Sequence, residues 1–193
     1  MKVYVVPYDP SWPAEFIAEA ARIRLAVGDL VMAVHHIGST SIPGIFAKPV
    51  IDILLEVYNI QALDARSAAL AELGYEAKGE FGIPGRRYFR RDSAMGTRTH
   101  QIHAFEAGSP GIERHLAFRD YMIAHPAIAR HYGLLKQQLA ASHPEDIEAY
   151  MDGKDSFIKE HEAKAIIWIK QVQPNSGANA ASLRRSPEAF GIA

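Results

Sequence analysis

The sequence predicts an α+β fold, in which a small mixed sheet is flanked by helices and followed by a C-terminal helical segment. Short apolar runs with β-branched residues, separated by turns that contain glycine or proline, recur between residues 31 and 106. From Pro110 onward the apolar residues recur at helical spacing instead. Since 48% of the 193 residues are hydrophobic, we expect one domain over residues 1–173 and a flexible polar tail over residues 174–193.

The expected elements are described here in chain order. They are a helix over residues 14–30, strands over 31–37 and 50–57, a helix over 61–73, strands over 75–77, 86–91 and 98–106, and three helices that begin at Pro110, after Pro126 and after Pro144. Pro13 stands where the first helix begins, because a first helical turn does not use the amide hydrogen that proline lacks. Gly74 stands where the second helix ends, because glycine tolerates the conformation that closes a helix.

The hydroxyl-rich turn between the first two strands is the segment best suited to bind an anion. Gly38 allows a ligand to approach the backbone, and Ser39 and Thr40 follow it directly. Pro43 predicts the first turn of a short helix capped by Thr40 or Ser41. Such a helix would point its positive end at the same space as the turn.

The string IGSTSIPGIFAKPVIDI at residues 37–53 resembles the GrpB-like family, a group of predicted nucleotidyltransferases that also occurs fused to dephospho-CoA kinases. Asp52, which follows Ser39 after twelve residues, is similar in spacing to the aspartate of the nucleotidyltransferase superfamily signature. The resemblance covers about residues 3–170, with further matches at residues 99–103, 115–121, 125–126, 150 and 154–158. It implies a nucleotidyltransferase-like fold that binds a nucleotide.

The resemblance also implies that Asp52 and His103 are the catalytic and metal-binding residues, with Mg²⁺ or Mn²⁺ as the divalent metal. His103 can alternatively act as a general base near neutral pH, or it can be a half-buried structural histidine. Leu54 occupies the position where the superfamily has its second acid. Glu56 lies roughly 13 Å along the strand from Asp52, too far to replace that acid. One Mg²⁺ held by Asp52 and by substrate phosphates is compatible with this departure.

Eight residues are expected to bind substrate phosphates: Gly38, Ser39, Thr40, Lys48, Arg86, Arg90, Arg119 and Lys154. All except Gly38 have a structural alternative, which for Ser39 and Thr40 is helix capping. Lys48 and Lys154 also fit solvated positions, and the arginine-rich run at residues 86–91 fits either a nucleotide-binding groove or a charged edge strand. Arg119 can donate two hydrogen bonds to a phosphate or pair with a neighbouring acid. His115 is expected to be a cap, surface or core residue.

Composition and charge limit the classes of partner. A formal net charge of -1 and a pI near 6.8 argue against binding to duplex nucleic acid or to anionic membranes. There is no cysteine, so any metal ion must have oxygen or imidazole ligands. Because no stretch is long and apolar enough for a signal peptide or a membrane span, we expect a cytoplasmic protein.

Three functions fit these observations. The first is a nucleotidyltransferase that binds a nucleotide and a divalent ion. The second is a noncatalytic module that binds a nucleotide, a coenzyme A-like molecule or a partner protein, and Leu54 favours it. The third is a hydrolase that uses His103 and Asp52 with a transition metal.

Overall fold

A five-stranded mixed sheet forms the centre of the computed structural model, which describes residues 3–172. The elements are α1 (Trp12–Val27), β1 (Val31–Ile37), β2 (Ile51–Val57), α2 (Ile60–Ala65), α3 (Ser67–Glu72), β3 (Glu76–Ala77), β4 (Arg87–Asp92), β5 (Arg98–Glu106), α4 (Pro110–Ala124), α5 (Pro126–Ser142) and α6 (Ile147–Val172). The expected α+β architecture with late helices is confirmed. The expected tail at residues 174–193 lies outside the described residues. Among the described helices, none combines the length and apolar character that crossing a bilayer requires.

The strand order is β1-β2-β5-β4-β3, with β2 and β5 parallel and the other neighbouring pairs antiparallel. In the central parallel pair, Asp52 is in register with Gln101, and Leu54 is in register with His103. Asp52 also pairs with Ile37, the last residue of β1. The sheet therefore brings the expected catalytic residues close to the turn after β1, at one end of its central strands.

Different helices cover the two faces of the sheet. Ile53 and Leu55 of β2 are fully buried in a cluster with residues of α1, α2 and α3. Side chains alternate along a strand, so Asp52 and Leu54 face the opposite side. There Leu54 packs against Ile112 of α4. The late helices α4, α5 and α6 thus lie over the face that carries Asp52.

Two of the expected helices have different limits in the structure. The first helix ends at Val27 rather than at residue 30, because Gly28 takes a positive φ of 70° and starts a short 3₁₀ turn. The helix expected over residues 61–73 is divided into α2 and α3 at Arg66. The Arg66 guanidinium donates to the Val27 carbonyl at 2.9 Å and to Asp29 at 3.1 Å, which ties this break to the end of α1.

The short helix expected after Pro43 is not formed. Instead, one 3₁₀ turn covers Ser39–Ser41, before the proline. The amides of Ser41 and Ile42 donate within this turn, to the carbonyls of Gly38 and Ser39, both at 3.3 Å. Ile42 and Ile45 are buried in the cluster formed by the late helices. Burial of these two side chains accounts for the irregular path of the chain, which local propensity alone does not predict.

Candidate functional site

A cavity of about 380 Å³ lies between the sheet and the late helices. It is lined by residues of β1, β2, β5, α4, α5, α6 and the segment that connects β1 to β2. In chain order they are Ile37, Gly38, Ser39, Lys48, Val50, Asp52, Gln101, His103, His115, Phe118, Tyr132, Lys136, Tyr150, Met151, Lys154, Ile158 and Glu162. We call this space the lysine cavity, because Lys48, Lys136 and Lys154 all line it.

Gly38 and Asp52 are in direct contact at the floor of the lysine cavity. A Cβ atom on Gly38 would lie 2.2 Å from Asp52 Oδ2, a distance that no real side chain tolerates. Gly38 also has a φ of 70°, which favours glycine. The turn after β1 and the acid on β2 therefore converge on one space, as the spacing predicts, and only glycine permits this approach.

Asp52 opens into the cavity rather than into a dry interior. Its side chain is 25% exposed, and its Oδ1 lies 3.9 Å from His103 Nε2, too far for a hydrogen bond. His103 is itself oriented from behind by Arg86, whose guanidinium nitrogen lies 3.3 Å from His103 Nδ1. Because a guanidinium only donates, Nδ1 is the acceptor, and the proton of the neutral ring is on Nε2, facing Asp52.

Three lysines from three segments supply positive charge to the cavity. Lys48 and Lys154 lie 6.0 and 4.9 Å from the centre of the Tyr150 ring. Lys136 lies 4.4 Å from the centre of the Tyr132 ring. Lys136 is only 1% exposed, and its ammonium has no hydrogen-bond partner among the described residues. An unpartnered buried ammonium is unfavourable, so this position favours an anionic ligand.

The protein environment lowers the pKa of each of these lysines. Burial, followed by repulsion from Lys154, lowers the pKa of Lys136 to about 7. Burial also lowers the pKa of Lys154 to about 8, and attraction to Asp52 opposes this change. The pKa of Lys48 is lowered by burial as well. A bound anion would favour the charged form of all three groups.

His115 and Glu162 also line the cavity. His115 Nδ1 donates to the Gly111 carbonyl at 2.7 Å, which leaves Nε2 as an acceptor. Burial lowers the pKa of His115 to about 4, so the ring is neutral at pH 7. Glu162 forms an ion pair with Arg114, with 2.6 Å between the charged atoms. Its charge is therefore matched, unlike that of Asp52.

Of the residues expected to bind phosphate, the structure brings Gly38, Ser39, Lys48 and Lys154 together around the cavity. Thr40, Arg86, Arg90 and Arg119 are not part of its lining. Thr40 is buried and donates to the Val50 carbonyl at 3.1 Å, which fixes the turn to the start of β2.

The three arginines outside the lining are engaged elsewhere. Arg86 donates to the carbonyls of Glu80 and Phe81 in addition to His103. Arg90 forms a 2.7 Å ion pair with Glu76 on the neighbouring strand. Arg119 bonds to Asp120 at 2.7 Å and to the His36 carbonyl at 3.1 Å. These contacts fit the structural alternatives, in which the arginines fix loops and strand edges.

The residues of the cavity fit a divalent metal poorly. Within residues 3–172, no three histidine, aspartate or glutamate side chains form a group that could hold a metal ion. Leu54, at the position of the second acid, is fully buried among Ile37, Phe105 and Ile112. The proton on His103 Nε2 occupies the nitrogen that faces Asp52. Asp52, the free Nε2 of His115 and the neutral oxygens of Gln101 and Ser39 are then the remaining candidate ligands, beside three lysine side chains.

Lys136 and Tyr132 are two cavity residues that the sequence interpretation missed. They lie on α5 one helical turn apart, together with Gly133 and Ala140 on its buried face. A lysine on the apolar face of a helix is rare unless it has a partner. That placement within the helical pattern is the signal that singles out Lys136 from the other lysines of the late helices.

A second cavity, of about 360 Å³, adjoins the first at Lys48 and Val50. The remaining residues of its lining are Tyr4, Pro49, Gly96, Thr97 and Arg98. The backbone before Lys48 is paired with the N-terminal segment, because Ala47 forms a β-bridge with Val6. The two cavities therefore lie next to each other, on either side of Lys48 and Val50.

The fold is nucleotidyltransferase-like. A structure of the Cid1 poly(U) polymerase with Mg 3′-dATP bound has a TM-score of 0.50 at 12% sequence identity, and covers 77% of this chain and 49% of that chain. The chain itself belongs to the GrpB family, because residues 2–164 match the family described as GrpB protein. The crystal structure of the conserved protein GrpB from Enterococcus faecalis is 43% identical, with a TM-score of 0.80, over 84% of this chain and 97% of that chain.

Two curated relatives contain a similar region within a longer protein. UPF0157 protein YqkA of Bacillus subtilis is 48% identical over 169 residues, which are 88% of this chain and 49% of the relative. A dephospho-CoA kinase of Mycolicibacterium paratuberculosis is 29% identical, over 86% of this chain and 46% of the relative. The chain thus spans about half the length of each of these two relatives.

Proposed function

We propose that this protein binds a nucleotide or another phosphate-bearing small molecule in the lysine cavity. The observation that carries the proposal is the buried ammonium of Lys136, which has no partner among the described residues and lines the same cavity as Lys48 and Lys154. Phosphate oxygens are strong acceptors for ammonium groups. Ser39, beside the close contact of Gly38 with Asp52, adds a hydroxyl group at the floor of the cavity.

The shape of the cavity supports a ligand larger than inorganic phosphate. The second cavity shares Lys48 and Val50 with the first, so there is further space beside the lysine that would contact a phosphate. The nucleotidyltransferase fold and the dephospho-CoA kinase relative support a nucleoside phosphate or a coenzyme A-like molecule as the ligand class. We propose that the phosphates lie among the lysines and that the rest of the molecule extends towards Tyr4.

A thermal-shift panel of nucleoside mono-, di- and triphosphates, coenzyme A and inorganic phosphate tests this function. A ligand that binds only the native state raises the melting temperature, and the shift grows with the logarithm of the ligand concentration above its dissociation constant. We expect stabilisation by at least one organic phosphate, and its loss in Lys154→Met. Lys159→Met is the matched control, because Lys159 lies on the same helix with 74% of its side chain exposed. No stabilisation by any member of the panel would refute the proposal.

Nucleotidyl transfer is the second candidate function, and the contact between Asp52 and the Gly38–Ser39 turn favours it. Transfer in this fold would require charge stabilisation at the attacked phosphate, for which the described residues offer lysines more readily than metal ligands. Incubation with a radiolabelled nucleoside triphosphate and a cell extract tests this activity. A labelled product that disappears in Asp52→Ala would establish transfer, whereas binding without turnover would favour the noncatalytic module.

A further inference from the structure

The positive charge of the lysine cavity exceeds what its carboxylates balance. Lys48, Lys136 and Lys154 line the cavity together with two acids, Asp52 and Glu162. Glu162 is already paired with an arginine outside the lining, at 2.6 Å. Asp52 is therefore the unpaired acid of the lining that faces three lysine side chains, and the cavity has a surplus of positive charge whenever more than one of these lysines is protonated.

The position that a second metal-binding carboxylate would need is closed by packing. Leu54 follows Asp52 on the same face of β2, and its side chain is 0% exposed. The next residue on this face, Glu56, lies 3.5 Å from His35 on β1. A divalent ion beside Asp52 would therefore gain no further carboxylate from β2, while it would be repelled by the lysines.

The His103 nitrogen that faces Asp52 carries a hydrogen and therefore cannot coordinate a metal ion. Arg86 is 6% exposed and donates to His103 Nδ1, so the Nε2 that points towards Asp52 carries a hydrogen. Metal coordination at Nε2 would require the proton to move to Nδ1, where two donors would then meet. The buried position of Arg86, fixed by the carbonyls of Glu80 and Phe81, opposes this change.

From these contacts we infer that the cavity binds its phosphate-bearing ligand as the free anion and not as a magnesium complex, with Lys136 providing charge that a metal ion would otherwise supply. The inference rests on the phosphate-binding function proposed above. It defines the ligand class more narrowly, as an anion whose phosphate oxygens are available to ammonium groups. A magnesium ion bound to those oxygens would compete with Lys48, Lys136 and Lys154 for them.

Isothermal titration calorimetry with ATP and with inorganic tripolyphosphate tests this inference, each in excess EDTA and in excess MgCl₂. We expect binding in EDTA that is weakened about threefold to tenfold by magnesium, because the metal complex has less negative charge to offer. Lys136→Met should weaken binding in EDTA by about tenfold or more, the loss of one charge-assisted contact. Lys154→Met provides a second variant, and Lys159→Met, at an exposed lysine, is the matched control.

Asp52→Asn distinguishes the two modes of binding by the sign of its effect. If the ligand binds as a free anion, removing this negative charge should tighten binding in EDTA by severalfold. If Asp52 holds a metal ion, the same substitution should abolish binding in magnesium. Binding that requires magnesium and is lost in Asp52→Asn would overturn the inference but leave the proposed function intact. Absence of binding by both probes in both buffers would overturn the inference, whereas a failed phosphate panel would refute the proposed function itself.

Discussion

Lys136 places an ammonium group beneath the surface, against the Tyr132 ring and without a hydrogen-bond partner among residues 3–172. Methionine has a similar length and no charge. We therefore expect Lys136→Met to raise the free energy of unfolding of the unliganded protein by about 1 to 3 kcal/mol, because an unsatisfied buried polar group is removed. Urea denaturation without ligand measures this change. A less stable variant would show that Lys136 has a partner in solution.

The same lysine predicts a pH dependence of stability. The pKa of Lys136 is about 7 in the folded protein and near 10.5 when the side chain is exposed. Between these values the unfolded chain binds more protons than the native one, so stability rises with pH. We expect a gain of about 1 kcal/mol per pH unit from roughly pH 7 to pH 9. Lys136→Met should flatten this part of the profile, leaving the smaller contribution of Lys154.

Gly38 combines a positive φ with a contact that excludes any side chain. Gly38→Ala should therefore destabilise the protein by about 3 kcal/mol or more, the sum of a backbone penalty and steric overlap with Asp52. Gly44 separates these two causes, since its φ is 76° but a Cβ there meets nothing within 4 Å. Gly44→Ala should cost only about 1 to 2 kcal/mol. Chemical denaturation of both variants makes the comparison, and equal losses would contradict the contact.

The sequence was informative about residues whose chemistry depends on neighbours along the chain. The spacing of Gly38, Ser39 and Asp52 placed them together because two adjacent strands join them. Arg90 could not be assigned in this way. Its partner Glu76 lies fourteen residues away on another strand, so a run of arginines gives no indication of which charges are already matched. The orientation of His103 by Arg86 is hidden for the same reason.

At the scale of elements, helix α5 approaches the β1–β2 connection closely enough to require a glycine. A Cβ on Gly133 would lie 3.0 Å from the Phe46 amide nitrogen and 3.1 Å from Ile45 Cβ. Alanine normally favours a helix over glycine by about 1 kcal/mol. Here we expect Gly133→Ala to lower the free energy of unfolding by about 1 to 2 kcal/mol, because backbone atoms cannot move aside.

This substitution should also weaken ligand binding, since α5 carries Tyr132 and Lys136 on either side of Gly133. Gln138→Ala, on the exposed face of the same helix, is the control and should change stability by less than about 0.5 kcal/mol. Urea denaturation and calorimetry on both variants provide the test. A stabilised Gly133→Ala protein with unchanged affinity would contradict the close packing of α5.

The helix limits were predicted correctly where the hydrophobic pattern changes at a residue that starts or ends helices. Pro110 and Pro126 start helices in this way, and Gly74 follows the end of one. The prediction failed where tertiary contacts decide the path. The chain after Pro43 has local features of a helix start, but Ile42 and Ile45 are anchored among the late helices instead. The break at Arg66 similarly depends on a carbonyl of α1 that is distant in sequence.

At the scale of the whole molecule, the lysine cavity lies on one face of the sheet, and the described residues of the opposite face do not line it. We expect a bound organic phosphate to slow hydrogen exchange in α5, in α6 and in residues 37–52. Exchange in α1, α2 and α3 should change much less, because their core lies on the opposite face. Hydrogen-exchange mass spectrometry with and without ATP measures this pattern. Equal protection of both faces would argue for binding elsewhere.

The lining of the cavity is widely separated along the chain, since Lys48 and Lys154 are about a hundred residues apart. Segments this distant come together only when the late helices have docked on the sheet. A ligand of the cavity therefore binds the native protein and not a partly folded chain. A bound ligand should therefore slow unfolding and leave the folding rate unchanged.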